Sequence, residues 1–306
     1  MKIEQNIPLA EFTTFKVGGP ADYFARVHDE AELREALRFA AAEHLPIFVL
    51  GGGSNVLFTD AGFRGLVIKN EIAGIEFNGA KVRVGSGASL AQLVLGSIQQ
   101  NLAGLENLIG LPGTVGGAIA GNAGSYGAEI GTVVESAQIL QLPPFANVVT
   151  DPDLSGEASK FEITEIDPNW FEFGYRTSKL KNSRNYILIS VTLQLTKSAE
   201  DLRAKATETA KTRASKEPGG LNAGSFWQNP PEKKTWELID ACGLRGERIG
   251  DAQVSPKHAN YLVNLGNATA TDLIKLAKKV EVSVQAKFSI ELKREVICVP
   301  EAGYPN

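Results

Sequence analysis

Glycine placement constrains this chain more than any other feature. Nine of its 31 glycines fall within residues 104–131, where average usage would place about two. Inside that stretch, NLIGLPGTVGGAIAGNAGSYGA (107–128) carries no charge. It is long enough to cross a bilayer, but seven glycines, Pro112 and two asparagines make a poor helix. It reads instead as a backbone-rich binding loop. Ordering so much glycine forfeits conformational entropy, and a large ligand with many acceptors would offset that loss.

A second glycine cluster, GGGSN (51–55), ends the apolar run PIFVL (46–50). A strand that runs into such a turn offers successive backbone N–H groups, a concavity suited to phosphate. No Gly-Lys-Ser/Thr follows, so the segment is not a P-loop, and the dinucleotide fingerprint is also missing. On its own GGGSN is also what a plain strand-to-loop turn looks like. Two such segments in one N-terminal region point to a long ligand with a pyrophosphate.

The rest of the composition narrows the class. With 31 basic and 35 acidic residues the net charge is −4, which argues against a nucleic-acid binder. Apolar residues make up 43% and charged residues 22%, ordinary globular usage. Two cysteines (Cys242, Cys298) and three histidines support neither a disulfide framework nor a metal centre, so no metal is expected. The N-terminus, MKIEQNIPLAEF, has charges where a secretory signal needs an apolar core. A cytoplasmic, monomeric protein acting on a small molecule, without membrane or nucleic acid, is the expectation.

Residues 1–197 alternate strand and helix signals. ADYFARVH (21–28) predicts a strand, and Asp29 with Glu32 a capping box before a helix burying Leu33, Leu37 and Ala40. PIFVL predicts a short buried strand. Further strands follow at 65–70, 72–79 and 80–87, and Ser89 caps a helix carrying Leu90, Leu93 and Val94. Strands are read at 133–142 and 186–195, with a polar surface excursion at 143–160. The charged segment 197–217 reads as a helix and link, with the domain boundary near 197. In 198–306, residues 234–242 are helical, IGDAQV and ANYLVNLG extended, and Thr269 with Asp272 forms a capping box. The helix after it presents Leu273, Leu276 and Val280 on one face. FSIELKREVICVP reads as a final strand. Cys242 is read as core.

Seven motifs occur in order: FTTFKVGGPAD (12–22), GGGSNVL (51–57), GLPGTVGGAIAGNAGSYG (110–127), YRTS (175–178), GSFWQNP (224–230), SPKHANYLVN (255–264) and ELKREV (291–296). Together they resemble the UDP-N-acetylenolpyruvoylglucosamine reductases, or UDP-N-acetylmuramate dehydrogenases, of peptidoglycan synthesis. The resemblance spans residues 12 to about 299. It implies an α+β chain with an FAD-binding domain of the vanillyl-alcohol-oxidase type (1–197, two subdomains split near 65). A C-terminal α+β substrate-binding domain (198–306) would follow. It further implies noncovalent FAD, NADPH as hydride donor, and a UDP-sugar enolpyruvyl ether as substrate. Only 48 residues separate Arg176 from Ser225, so the insertion that carries a substrate-contacting tyrosine in one branch has no room. Trp227 and Gln228 stand where the family more often has Phe and Lys. Ser125 replaces a common alanine.

Carried over motif by motif, the resemblance assigns FAD contacts to Gly51, Gly52, Gly53, Ser54 and Asn55. In the second segment it assigns them to Gly110, Pro112, Gly113, Gly116 and Gly117, and then to Asn122, Ala123 and Gly124. The implied reaction sends hydride to the β-carbon of the enolpyruvyl group, so negative charge develops on the α-carbon and its carboxylate. Arg176 can grip a carboxylate through two parallel bonds. Ser225 is the expected proton donor to the α-carbon. Glu295 completes the charge arrangement as a neutral acid or within a hydrogen-bond network. Tyr175 and Asn229 are expected to touch substrate. Lys257, Arg213 and Lys216 are candidates for the diphosphate, and His258 stays outside the catalytic set. Two rival readings stay open: an oxidase on the same flavin fold, and a nonenzymatic nucleotide-binding module.

Overall fold

The computed structural model describes residues 1–142, 161–183 and 185–302. The expected excursion at 143–160 lies outside them. The chain folds as two compact units, both discontinuous in sequence. The first comprises Met1–Glu4, Phe24–Gly52 and Gly65–Lys211; the second comprises Gln5–Tyr23, Gly53–Arg64 and Thr212–Asn306.

A four-stranded sheet runs in the order Ile3–Pro8, Pro20–Val27, Phe63–Asn70, Ile47–Leu50. Ile47–Leu50 was expected to be buried, yet only Leu50 is. It is an edge strand, parallel to 66–69, so one side has no neighbouring strand to cover it. The helix Glu30–Ala42 starts as its sequence predicts, with Asp29 accepting from the Glu32 N–H at 2.8 Å. The return arm differs: the Glu32 carboxylate takes the His28 N–H at 2.7 Å.

The first unit holds a five-stranded sheet in the order Glu162–Ile166, Val134–Gln141, Tyr186–Gln194, Lys81–Gly85, Ile75–Asn78. All its pairs are antiparallel. The helix Leu90–Gln99, capped by Ser89, buries Leu90, Leu93, Val94 and Ile98. They join Val82, Val84 and Val191 in the unit's core. The uncharged 107–128 stretch begins at the end of the short 3₁₀ turn Glu106–Leu108. It contains the six-residue helix Val115–Ala120 and most of a hairpin between Gly124–Ser125 and Ala128–Glu129, which closes one residue beyond it. Among the described residues no helix is long and apolar enough to cross a membrane. Segment 197–217 is largely the helix Leu202–Lys216.

In the second unit, a three-stranded antiparallel sheet (Arg248–Ile249, Ala252–Val254, Leu262–Asn264) accompanies the 19-residue helix Ala270–Phe288. That helix has the full reciprocal capping box between Thr269 and Asp272. Asp60 adds its carboxylate to the Ala270 and Thr271 N–H groups at 2.7 and 2.9 Å, where a negative charge offsets the helix dipole. Leu273, Leu276 and Val280 are fully buried, as their spacing predicts, and pack with Phe226 and Trp227. Cys242 follows the helix Thr235–Ala241 as its cap and sits half-buried against the same core.

The expected final strand is much shorter than its sequence suggests. The helix runs through Phe288, and Ser289 turns the chain at φ 57°. Only Ile297–Val299 forms a ladder, parallel to Val56–Phe58. Residues 290–296 keep the alternating burial of a strand, because a single bridge, Trp227 to Arg294, holds them extended.

Candidate active site

In the first unit the two glycine segments meet backbone to backbone. A methyl group built on Gly51 would lie 2.4 Å from Thr114 Oγ1, and one on Gly52 would lie 2.5 Å from the Gly113 Cα. Neither position has room for a side chain. Gly116 is similarly pressed against the Ser86 carbonyl, 2.9 Å from where a Cβ would be. The loop's N–H groups are partly committed to the protein: Val115 N–H donates to Ala88 at 2.9 Å and Gly116 N–H to Ser86 at 2.7 Å. Thr114 caps the short helix through the Gly117 N–H at 3.4 Å. Gly110 and Gly113, on either side of Pro112, have φ values of 80° and 117°, which only glycine adopts without strain. Lys69 donates to the Gly51 carbonyl, and burial lowers the pKa of its ammonium, only partly opposed by Glu71.

Asn122 ties this loop to the next motif. Its side chain is almost wholly buried. The amide donates to the Gly174 carbonyl at 3.0 Å and to Glu129 at 2.8 Å, and its oxygen accepts the Gly131 N–H at 3.1 Å. Gly174 and Thr177 exchange backbone bonds at 3.1 and 3.2 Å, so Tyr175 and Arg176 form the tip of a tight turn. Arg176 sits at φ 58°, a conformation rare outside glycine. Its Nε is buried, Nη1 lies 3.0 Å from where a Gly124 Cβ would be, and the guanidinium stacks 5.4 Å from the half-exposed Tyr175 ring. Thus Gly124, Asn122, Tyr175 and Arg176 come together within one unit, next to Ala123.

In the second unit Gly53 takes φ 65°, and a Cβ there would strike the Phe12 carbonyl at 1.9 Å. Asn55, two residues on and beyond Ser54, donates through its amide to the Glu295 carbonyl at 3.2 Å. Its own carbonyl accepts from Ile297 at 3.0 Å. The segment Ser225–Gln228 is a central rung. On one side Ser225 bridges Tyr261, with Phe226 N–H donating to Asn260 at 2.7 Å. On the other, Glu295 N–H donates to Phe226 at 2.8 Å and Gln228 N–H to Lys293 at 2.9 Å. Asn260 clamps the rung further through both backbone groups of Trp227, at 3.1 and 2.8 Å. Ser225 and Glu295 are therefore brought into one local structure by residues 70 positions apart.

Trp227, where the family more often has Phe, is fully buried. Its indole N–H donates to Glu281 at 3.0 Å, and Arg294 holds the same carboxylate at 2.6 and 3.1 Å. Asn229 accepts from the Thr235 N–H at 3.0 Å and so also anchors the start of the helix Thr235–Ala241. Of the diphosphate candidates, Arg213 pairs with Glu217 at 2.8 Å, Lys257 bonds the Ala214 carbonyl at 2.6 Å, and Lys216 is exposed. Burial lowers the pKa of His258, whose ring lies 4.9 Å from Tyr261. Sequence reasoning missed Lys69, Glu217 and Tyr261. Tyr261 lies inside a motif already singled out, but nothing local marks its hydroxyl as facing Ser225.

The family model described as "UDP-N-acetylenolpyruvoylglucosamine reductase, C-terminal domain" matches residues 216–299, and "FAD binding domain" matches 21–142. The chain is 37% identical over 298 residues to UDP-N-acetylenolpyruvoylglucosamine reductase 2 of Symbiobacterium thermophilum, covering 96% of this chain and 91% of that one. The Trichlorobacter lovleyi reductase is 38% identical over 292 residues, 94% and 90% of the two chains. A crystal structure of the Thermus caldophilus reductase superposes with a TM-score of 0.80 at 32% identity, covering 97% of this chain and 99% of that one.

Proposed function

The chain belongs to the UDP-N-acetylenolpyruvoylglucosamine reductase family, and from that premise we propose how its own residues divide the work. It is an FAD-dependent oxidoreductase of peptidoglycan synthesis. With NADPH as reductant it reduces the enolpyruvyl ether of a UDP-sugar to the lactyl ether. Bound FAD supplies the hydride relay between the two substrates.

The glycine segments fit such a cofactor, because Gly51, Gly52 and Gly116 leave a surface of bare backbone where any side chain would intrude, and Gly113 has a φ of 117°. Gly110, Pro112, Gly117 and the Asn122–Gly124 turn extend that set within the first unit, and the family resemblance assigns Gly53, Ser54 and Asn55 to the same cofactor.

Arg176 takes the substrate carboxylate. Its backbone is fixed in a strained turn, so a planar fork of donors is presented with little freedom left to lose. As charge builds on the α-carbon, that cation stabilises it where it forms. Ser225 delivers the proton, since an enolate-like carbon is a far stronger base than water and a positioned hydroxyl suffices. Glu295 completes the polar surround, and Tyr175 and Asn229 contact the sugar nucleotide. The enzyme acts as a cytoplasmic monomer in this reading.

The observation that carries the proposal is the rung 225–228, which ties the Ser225 and Glu295 segments together by backbone bonds. The test is the visible spectrum of the purified protein. A flavin spectrum is expected, bleached by NADPH and restored anaerobically by the enolpyruvyl sugar nucleotide, with FAD released on acid precipitation. Restoration by oxygen alone, with no response to the sugar nucleotide, would instead support an oxidase.

A further inference from the structure

Tyr261 is among the most deeply buried titratable groups of the second unit, 7% exposed, and no step above uses it. It is paired backbone to backbone with Ser225. Its N–H is fixed to the His258 carbonyl at 3.0 Å and its carbonyl to the Ser255 N–H at 2.8 Å, so the ring has a defined direction. The bridge sets its side chain beside that of Ser225, and its hydroxyl faces the Ser225 hydroxyl and the Glu217 carboxylate, to which it can donate. Glu217 is the residue after the helix Leu202–Lys216, and Arg213, one turn earlier, grips it at 2.8 Å. Arg213 is 12% exposed and Glu217 28%. Serine, phenol, carboxylate and guanidinium thus form one line, from the expected proton donor to a group that still touches water. The His258 ring, edge-on at 4.9 Å, packs against Tyr261.

We propose that Tyr261 is the positioning residue for Ser225: it orients the serine hydroxyl and restores its proton, with Glu217 as the link to solvent. This rests on Ser225 being the proton donor. The balance is simple. The α-carbon gains the Oγ proton, and Oγ takes the phenolic proton as that O–H turns from Glu217 to the serine. The phenolic oxygen is reprotonated through Glu217 by one proton drawn from solvent. No heavy-atom bond changes in the relay, and no electrons leave it. Burial raises the pKa of the phenol, and Glu217 raises it further, so its proton is present when needed. A serine hydroxyl held only by water would sample several rotamers and lose alignment with the carbon it must protonate.

The test is Tyr261→Phe, which keeps the ring and removes one oxygen. Anaerobic stopped-flow should show flavin bleaching by NADPH at the wild-type rate. Reoxidation by the enolpyruvyl sugar nucleotide should slow roughly tenfold, the worth of one buried hydrogen bond. The same substitution in a Ser225→Ala background should slow reoxidation no further, because there is then no hydroxyl to position. In mixtures of H₂O and D₂O the wild-type rate should fall along a curve, reporting more than one proton in flight, and the Tyr261→Phe rate along a line. Should Tyr261→Phe fold poorly, Glu217→Gln probes the same line and should also slow reoxidation. Wild-type reoxidation by Tyr261→Phe, or equal slowing with and without Ser225, overturns the Tyr261 assignment alone. Wild-type reoxidation by Ser225→Ala overturns the proton-donor reading, and this proposal with it.

Discussion

In the function proposed above, the loop at 110–124 and the rung at 225–228 contribute by opposite means. The loop works by what its residues lack: Gly51, Gly52 and Gly116 hold their places because a single methyl group would collide with backbone or a threonine hydroxyl. The rung works by what its residues carry, a hydroxyl on Ser225 and the groups lined up behind it. On that proposal, shape is set by absence in the first unit and chemistry by presence in the second. Errors in the two regions should therefore read out differently: an added atom should harm cofactor retention, and a removed atom should harm one chemical step.

The largest effect expected is from Ser225→Ala. Hydride transfer from NADPH to flavin needs no proton at the substrate α-carbon, whereas completion of the second half-reaction does. Loss of a positioned general acid slows its step by about 10²–10⁴-fold. Anaerobic stopped-flow should show near-normal bleaching and reoxidation slowed by that factor; equal slowing of both steps would place the damage in the fold or flavin site instead.

Gly52→Ala sharpens the other side of the comparison. Its methyl meets the Gly113 Cα at 2.5 Å, a backbone atom that cannot swing away. Overpacking of this kind destabilises by about 1–3 kcal/mol, and here the strain falls on both glycine segments at once. The expected result is protein purified with substoichiometric FAD and a lowered melting temperature. Residual flavin should still be reoxidised at the wild-type rate. Full flavin occupancy would show that the two segments can part without consequence.

The smallest effect expected belongs to a pair outside both regions. Glu106, 8% exposed, meets Lys205 at 2.7 Å. Burial alone would raise the pKa of its carboxyl, but the Lys205 hydrogen bond and the Gly104 N–H hold it below the ordinary glutamate value of 4.5. A depressed carboxylate contributes stability that is present above the unfolded-state value and lost as pH falls through the native one. Lys205→Met should therefore lower stability by about 1 kcal/mol near neutrality. The gap to wild type should narrow as pH falls below 4.5 and through the lowered native value. Urea unfolding at pH 7 and at pH 3.5 measures both; a constant gap would mean the lysine acts through its alkyl packing.

What could be read from the sequence follows the range of the interaction responsible. The caps at Asp29, Ser89 and Thr269 were legible because each is settled within three residues of chain. So was the buried stripe Leu273, Leu276 and Val280, which a helical period lays on one face. The final strand was not: 290–296 alternates like a strand, but its partner is the bridge at Trp227 rather than a ladder. The candidate site divides in the same way. Its glycines were visible as glycines, while their reason, contact between segments some 60 residues apart, was not. Tyr261 and Glu217 stand 44 positions apart, and their meeting at Ser225 depends on the antiparallel bridge that only the fold supplies.

The parallel pairing of Ile297–Val299 with Val56–Phe58 has a consequence for how the molecule is made. Those strands, and the Asn55 contact beside them, join points some 240 residues apart. A chain emerging from the ribosome can assemble the core built from residues 82–206 while translation continues. Val56–Phe58 must wait for its partner until residues 297–299 have been made. Such long-range closure is slow, and an unpaired apolar strand invites the wrong partner meanwhile. The second unit can therefore close only once residues 297–299 are available, so its folding trails that of the core at 82–206.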